Sequence, residues 1–148
     1  MHIATKGSNV DISSEKKLRE YANSISNKLK KGNIYFLFGE MGVGKTTFVK
    51  FVINDLQKKY NQELSEVTSP TFNILNIYSI GNLMIKHYDL FRLNSSEELK
   101  ELNIFDKDEG SILFIEWPQI IKQKPKSVIE LYFEYENQYR DRFIKSEI

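Results

Sequence analysis

The segment GEMGVGKTT, residues 39–47, restricts this chain more than any other stretch. Gly39, Gly44, Lys45 and Thr46 stand in the spacing Gly-x-x-x-x-Gly-Lys-Thr. Such a loop lets the backbone curl until successive N–H groups point inward at a phosphate chain, an approach that a Cβ would obstruct. Glu40, Met41, Gly42, Val43 and Gly44 form the cradle, and Lys45, Thr46 and Thr47 open the helix that should follow. Lys45 can reach the outer phosphates as a compact cation, the Thr46 hydroxyl can ligate Mg²⁺, and the helix start adds the positive end of its dipole.

The flanks agree with this reading. Ile34, Tyr35, Phe36, Leu37 and Phe38 form an unbroken apolar run, as expected for a strand buried on both faces. After the loop, Phe48, Val49, Phe51, Val52, Ile53 and Leu56 alternate with Lys50, Asp55, Lys58 and Lys59 in the manner of a largely buried helix. Strand, glycine loop and helix are the arrangement that makes the motif a phosphate site.

A second unbroken apolar run, Ile112 to Ile115, ends in Glu116, Trp117 and Pro118. An acid at the end of a buried strand can hold a water on Mg²⁺ or orient an attacking one. Asp89 is the other candidate carboxylate. It ends a strand expected over residues 83–90, on one face with Leu83, Ile85 and His87. Thr46, Asp89 and Glu116 would together suffice for Mg²⁺, which keeps several of its waters. With Lys45, the two acids form the expected catalytic set. His87 reads as a packed or hydrogen-bonded residue rather than a catalytic one.

Residues 68–72, TSPTF, hold the hydroxyls of Ser69 and Thr71 on either side of Pro70. Such a loop can sense a terminal phosphate by ordering around it. Two roles stand open for Arg92: neutralising charge on the phosphates, or pairing with Glu97 or Glu98. Trp117 has two equal readings, a surface for a partner or a core residue.

The remaining elements are conventional. Leu18, Tyr21, Ala22, Ile25 and Leu29 mark a helix over residues 15–30, capped by Ser13 or Ser14 and stopped by Gly32. Residues 2–8 suggest a short first strand. Residues 72–79 and 83–90 suggest a hairpin around Gly81, and Ser95 or Ser96 caps a short acidic helix that Asn103 can end. Residues 128–135 read as a strand, and 142–144 as a last edge strand.

The composition narrows the functions. There is no cysteine, which excludes disulfides, zinc–thiolate sites and cysteine nucleophiles. Hydrophobic content of 41% and charged content of 28% in 148 residues fit one P-loop domain over residues 1–148, expected in the cytoplasm with no membrane contact. A net charge of +1 gives no reason to expect direct nucleic-acid binding. The arginines are Arg19, Arg92, Arg140 and Arg142, too few for the clamp that phosphoryl-transferring kinases use.

Four blocks in order, residues 39–50 (GEMGVGKTTFVK), 68–72 (TSPTF), 87–93 (HYDLFRL) and 114–118 (FIEWP), resemble the TsaE family of P-loop ATPases in bacterial tRNA threonylcarbamoyladenosine synthesis. The resemblance implies an α/β, three-layer P-loop domain whose mostly parallel central sheet is extended by antiparallel strands. It implies binding of ATP or ADP with Mg²⁺ by the loop, with Ser69, Thr71 and Arg92 nearby. It further implies a weak ATPase that acts on a TsaB–TsaD complex and meets tRNA only through it. The alternatives are a small-molecule kinase using the same loop and a nucleotide-bound adaptor with negligible turnover. Asn103 stands where the family usually has glycine, and nothing assigns the adenine contacts.

Overall fold

The computed structural model describes residues 8–106 and 110–147. The first strand expected at residues 2–8 lies almost entirely outside them, and β1 (Asn9–Asp11) follows directly. Helix α1 (Glu15–Ser26) starts where Ser14 accepts a hydrogen bond from the Lys17 backbone N–H at 3.1 Å, satisfying one of the free donors of the first turn.

That helix ends at Ser26, short of the expected residue 30, and before Gly32 is reached. The Ser24 and Ser26 hydroxyls donate to the carbonyls of Tyr21 and Asn23. Side chains of this type compete with the helical backbone for its own acceptors. Asn33 then accepts from the Lys30 backbone N–H, which closes the connecting turn.

The two apolar runs become β2 (Ile34–Phe38) and β5 (Ile112–Glu116), and every residue of the latter is buried. Between them come α2 (Lys45–Lys59), β3 (Leu75–Ile80), β4 (Leu83–Asp89) and α3 (Ser96–Glu101). After β5, a single 3₁₀ turn (Pro118–Ile120) leads toward β6 (Val128–Glu136) and β7 (Asp141–Glu147).

All the strands join one seven-stranded sheet in the order β1-β7-β6-β2-β5-β4-β3. The inner pairings β6–β2, β2–β5 and β5–β4 are parallel, and the flanking ones are antiparallel. The architecture is therefore the expected α/β one, a parallel centre extended at both ends. Residues 142–144 do form a strand, but β1 pairs with it, so it is not an edge.

The expected hairpin begins later than residue 72. Ile74 takes a left-handed conformation and its N–H bonds to the Pro70 carbonyl at 2.6 Å. This tight turn folds residues 68–71 back across the end of β4. Asn103 also adopts the left-handed conformation, φ +50°, just after α3, as its position demands.

A hydrophobic layer lies on each face of the sheet. On one, α1 and α2 pack through Tyr21, Phe48, Val52 and Ile53 against Tyr35, Phe114 and Phe133. On the other, Phe36, Tyr88, Leu113 and Ile115 lie beneath Leu99, Leu102 and Ile104. Phe48 touches the rings of Tyr21, Phe114 and Phe133 at once, so the first turns of α2 are anchored to three other elements. The parallel strands put their carboxyl ends at one margin of the sheet, the location where open α/β sheets place ligands.

Candidate functional site

The glycine loop connects β2 to α2 at that margin. Gly39 leaves β2 in a close fit: a Cβ there would stand 2.7 Å from the Phe133 carbonyl oxygen and 2.9 Å from Val43 Cγ1. Gly44 is the N-cap of α2 at φ +121°, a conformation that L side chains rarely adopt. These two glycines account for the spacing of the motif, one through contact and the other through conformation.

Met41, Gly42, Gly44, Lys45, Thr46 and Thr47 line one side of a cleft of about 210 Å³, and Ser69, Thr71, Asp89 and Glu116 line the other. Parallel pairing sets Asp89 directly beside Glu116, so both carboxylates project at the same margin. Asp89 is 4% exposed and Glu116 is 3% exposed. Burial this deep requires hydrogen-bond partners, and each acid has them.

Glu116 Oε2 accepts from Thr46 Oγ1 at 2.9 Å and from His87 Nε2 at 2.6 Å. His87 is completely buried, and its Nδ1 has no hydrogen-bond partner. The tautomer protonated at Nε2 fits, since a proton on Nδ1 would be a buried donor without an acceptor. Asp89 Oδ2 accepts from Ser69 Oγ at 2.9 Å and from Thr71 Oγ1 at 3.3 Å, while Oδ1 accepts from the Phe91 backbone N–H at 3.0 Å. The TSPTF loop is thus tied to one acid and the first turn of α2 to the other.

Lys45 donates to the Gly39 carbonyl, and its Nζ lies 3.7 Å from the centre of the Trp117 ring. Burial lowers the Lys45 pKa, against the raising effect of Glu116 and Asp89. Trp117 is half-buried and neither core nor isolated surface. Its backbone is left-handed, φ +56° and ψ +54°, which swings the indole onto Phe91 and beneath Lys45 as a wall of the cleft.

The sequence-derived candidates divide accordingly. Lys45, Thr46, Ser69, Thr71, Asp89 and Glu116 converge in the cleft. Glu40 is exposed and the Val43 side chain is buried beneath the loop, and neither lines the cleft. Arg92 is exposed and does not line the cleft; its guanidinium lies 5.0 Å over the Phe72 ring. The sequence reading made His87 a packed or hydrogen-bonded residue, as its bond to Glu116 bears out, and left Trp117 between partner surface and core; it gave neither a place in the site. Their signals were present, since His87 is one strand step below Asp89 and Trp117 is next to Glu116.

The donor set suits a small hard cation, with a hydroxyl and carboxylate oxygens side by side. Among the described residues no group of three or more His, Asp and Glu is arranged to hold a metal by itself.

Residues 12–144 match the family model described as threonylcarbamoyl adenosine biosynthesis protein TsaE. The chain belongs to the TsaE family. Among its relatives is the tRNA threonylcarbamoyladenosine biosynthesis protein TsaE of Rickettsia typhi, 38% identical over 75% of this chain and 74% of that one. The TsaE of Borreliella burgdorferi is 39% identical over 75% of this chain and 78% of that one. In fold, this chain is similar to the crystal structure of Bacillus subtilis YdiB, with a TM-score of 0.70 at 19% identity, covering 100% of this chain and 89% of the other.

Proposed function

We propose that this TsaE-family chain is a cytoplasmic, Mg²⁺-dependent ATP-binding and ATP-hydrolysing accessory protein for threonylcarbamoyladenosine modification of tRNAs reading codons that begin with A. It acts as one P-loop unit on a TsaB–TsaD complex. The observation that carries this reading is the meeting of the Thr46 hydroxyl with Asp89 and Glu116 beside the glycine loop.

Lys45 leaves the Gly39 carbonyl for the outer phosphates, and the loop N–H groups hold the chain behind them. Thr46, Asp89 and Glu116 would hold magnesium with its waters, and the bound ion would supply charge neutralisation at the phosphate oxygens. His87 and Thr46 both bond to Glu116 Oε2, which fixes the carboxylate to orient a water. Ser69 and Thr71 are bonded to Asp89, so the loop can respond to what the acid holds. Arg92 lies outside the cleft, which leaves room for a partner to supply or reposition a cation. The net charge of +1 agrees with contact to tRNA only through the complex.

The test is phosphate release by the chain alone and with TsaB–TsaD. Slow release alone and acceleration with partners is the expected result. Phosphate appearing on a small acceptor would make the chain a kinase, and no turnover in either condition would make it a nucleotide-bound adaptor.

A further inference from the structure

We propose that β3 is a self-association edge, along which two copies of this chain pair β3 to β3 about a twofold axis at Ile77. The pairing is independent of what the cleft binds, because no residue of β3 lines it.

The two ends of the sheet are built differently. At one end β1 is three residues long and carries Asp11, paired with Lys17 at 2.8 Å. Short length and charge are the usual means of keeping an edge from pairing with another chain. At the other end β3 is six residues long, LNIYSI, with neither a charged residue nor a proline.

Hairpin register fixes which backbone groups of β3 are available. Ile80 and Leu83 close the turn made by Gly81 and Asn82, and the closing residues of such a turn exchange both hydrogen bonds. Alternation then directs the N–H and C=O of Asn76 and Tyr78 toward β4, and those of Leu75, Ile77 and Ser79 outward. Gln62 Nε2 donates to the outward Ser79 carbonyl at 3.1 Å. Among the described residues no hydrogen bond meets the outward groups of Ile77.

Exposed apolar side chains flank this edge. Ile77 and Met84 share one face of the hairpin, since Ser79 pairs with Met84. Tyr60 lies against the turn, where a Cβ on Gly81 would stand 2.4 Å from its ring, and Leu64 follows Gln62 in the same loop. These four residues are 41–53% exposed, and such clusters mark association sites. Symmetry selects the occupant. Antiparallel pairing centred on Ile77 sets it against Ile77 of the copy, and Leu75 against Ser79 of the copy. Outward groups therefore meet outward groups at each step, as an isologous interface requires. An uncharged strand offers no electrostatic complementarity that would favour a different chain. Pairing also consumes the edge, so assembly stops at two.

The experiment is sedimentation equilibrium of the full chain from about 1 µM to about 1 mM. The wild type should rise from the mass of one chain to that of two. Ile77→Glu and Ile77→Lys each place like charges opposite each other across the axis and should weaken self-association about tenfold or more. An equimolar mixture of the two variants should recover the dimer, because residue 77 then meets its opposite charge. Ile77→Glu stands opposite Lys86 of its own hairpin and should melt as the single-chain wild type does, so its result stands even if Ile77→Lys fails to fold. Variants that dimerise like the wild type, two folded variants whose mixture stays monomeric, or growth beyond two chains would overturn the proposal. So would a wild type that remains a single chain throughout; loss of TsaB–TsaD binding in Ile77→Glu would then give this edge to a different protein.

Discussion

Glu116 is buried with two donors directed at a single oxygen, and this makes its substitutions unequal. Glu116→Ala would leave the His87 Nε2–H buried without an acceptor, which costs roughly 1–3 kcal/mol, so lost activity could not be separated from lost stability. Glu116→Gln keeps a carbonyl-type acceptor for Thr46 and His87 while removing the negative charge. Steady-state phosphate release with TsaB–TsaD should fall about a hundredfold or more, with the melting curve close to that of the wild type. A Glu116→Gln protein releasing phosphate at the normal rate would remove this residue from the chemistry. His87 illustrates what residue-by-residue reading misses. Its position below Asp89 follows from strand alternation, but its bond to Glu116 depends on the register of β4 against β5, which neither strand encodes alone.

At the level of elements, the glycine loop is held by what packs against it. Gly39 meets the Phe133 backbone of the neighbouring β6 and the Val43 side chain of its own loop, so Gly39→Ala must move one of them. Overpacking of this kind costs about 1–3 kcal/mol, and a lowered urea midpoint should report it; an unchanged midpoint would mean that the contact is not tight. The most buried elements were the legible ones: β2, α2 and β5 appear where their apolar residues lie. Ends set by local polar competition were less so. Helix α1 stops at Ser26 because serine hydroxyls bond back to its carbonyls, a contest that apolar periodicity does not register. The start of β3 is delayed by the left-handed turn at Ile74, a conformation that a β-branched residue does not advertise.

For the molecule as a whole, long-range pairing assembles the site. Lys45 and Thr46 come from the start of α2, Asp89 from β4 and Glu116 from β5, and only the parallel order of β2, β5 and β4 brings them to one margin. The acids were legible in the sequence because a carboxylate ending an apolar strand is chemically conspicuous. Family membership and this convergence lead to the same expectation, that the cleft takes a magnesium-bound triphosphate through Lys45. Thermal unfolding with saturating Mg²⁺ and ATP measures it. At a ligand concentration about 100 times Kd, binding to the folded chain contributes about 2.7 kcal/mol, a rise in melting temperature of roughly 5–10 °C for a domain of this size. The wild type should show that rise and Lys45→Ala should lose it; a Lys45→Ala protein stabilised as much as the wild type would contradict the site described for this chain.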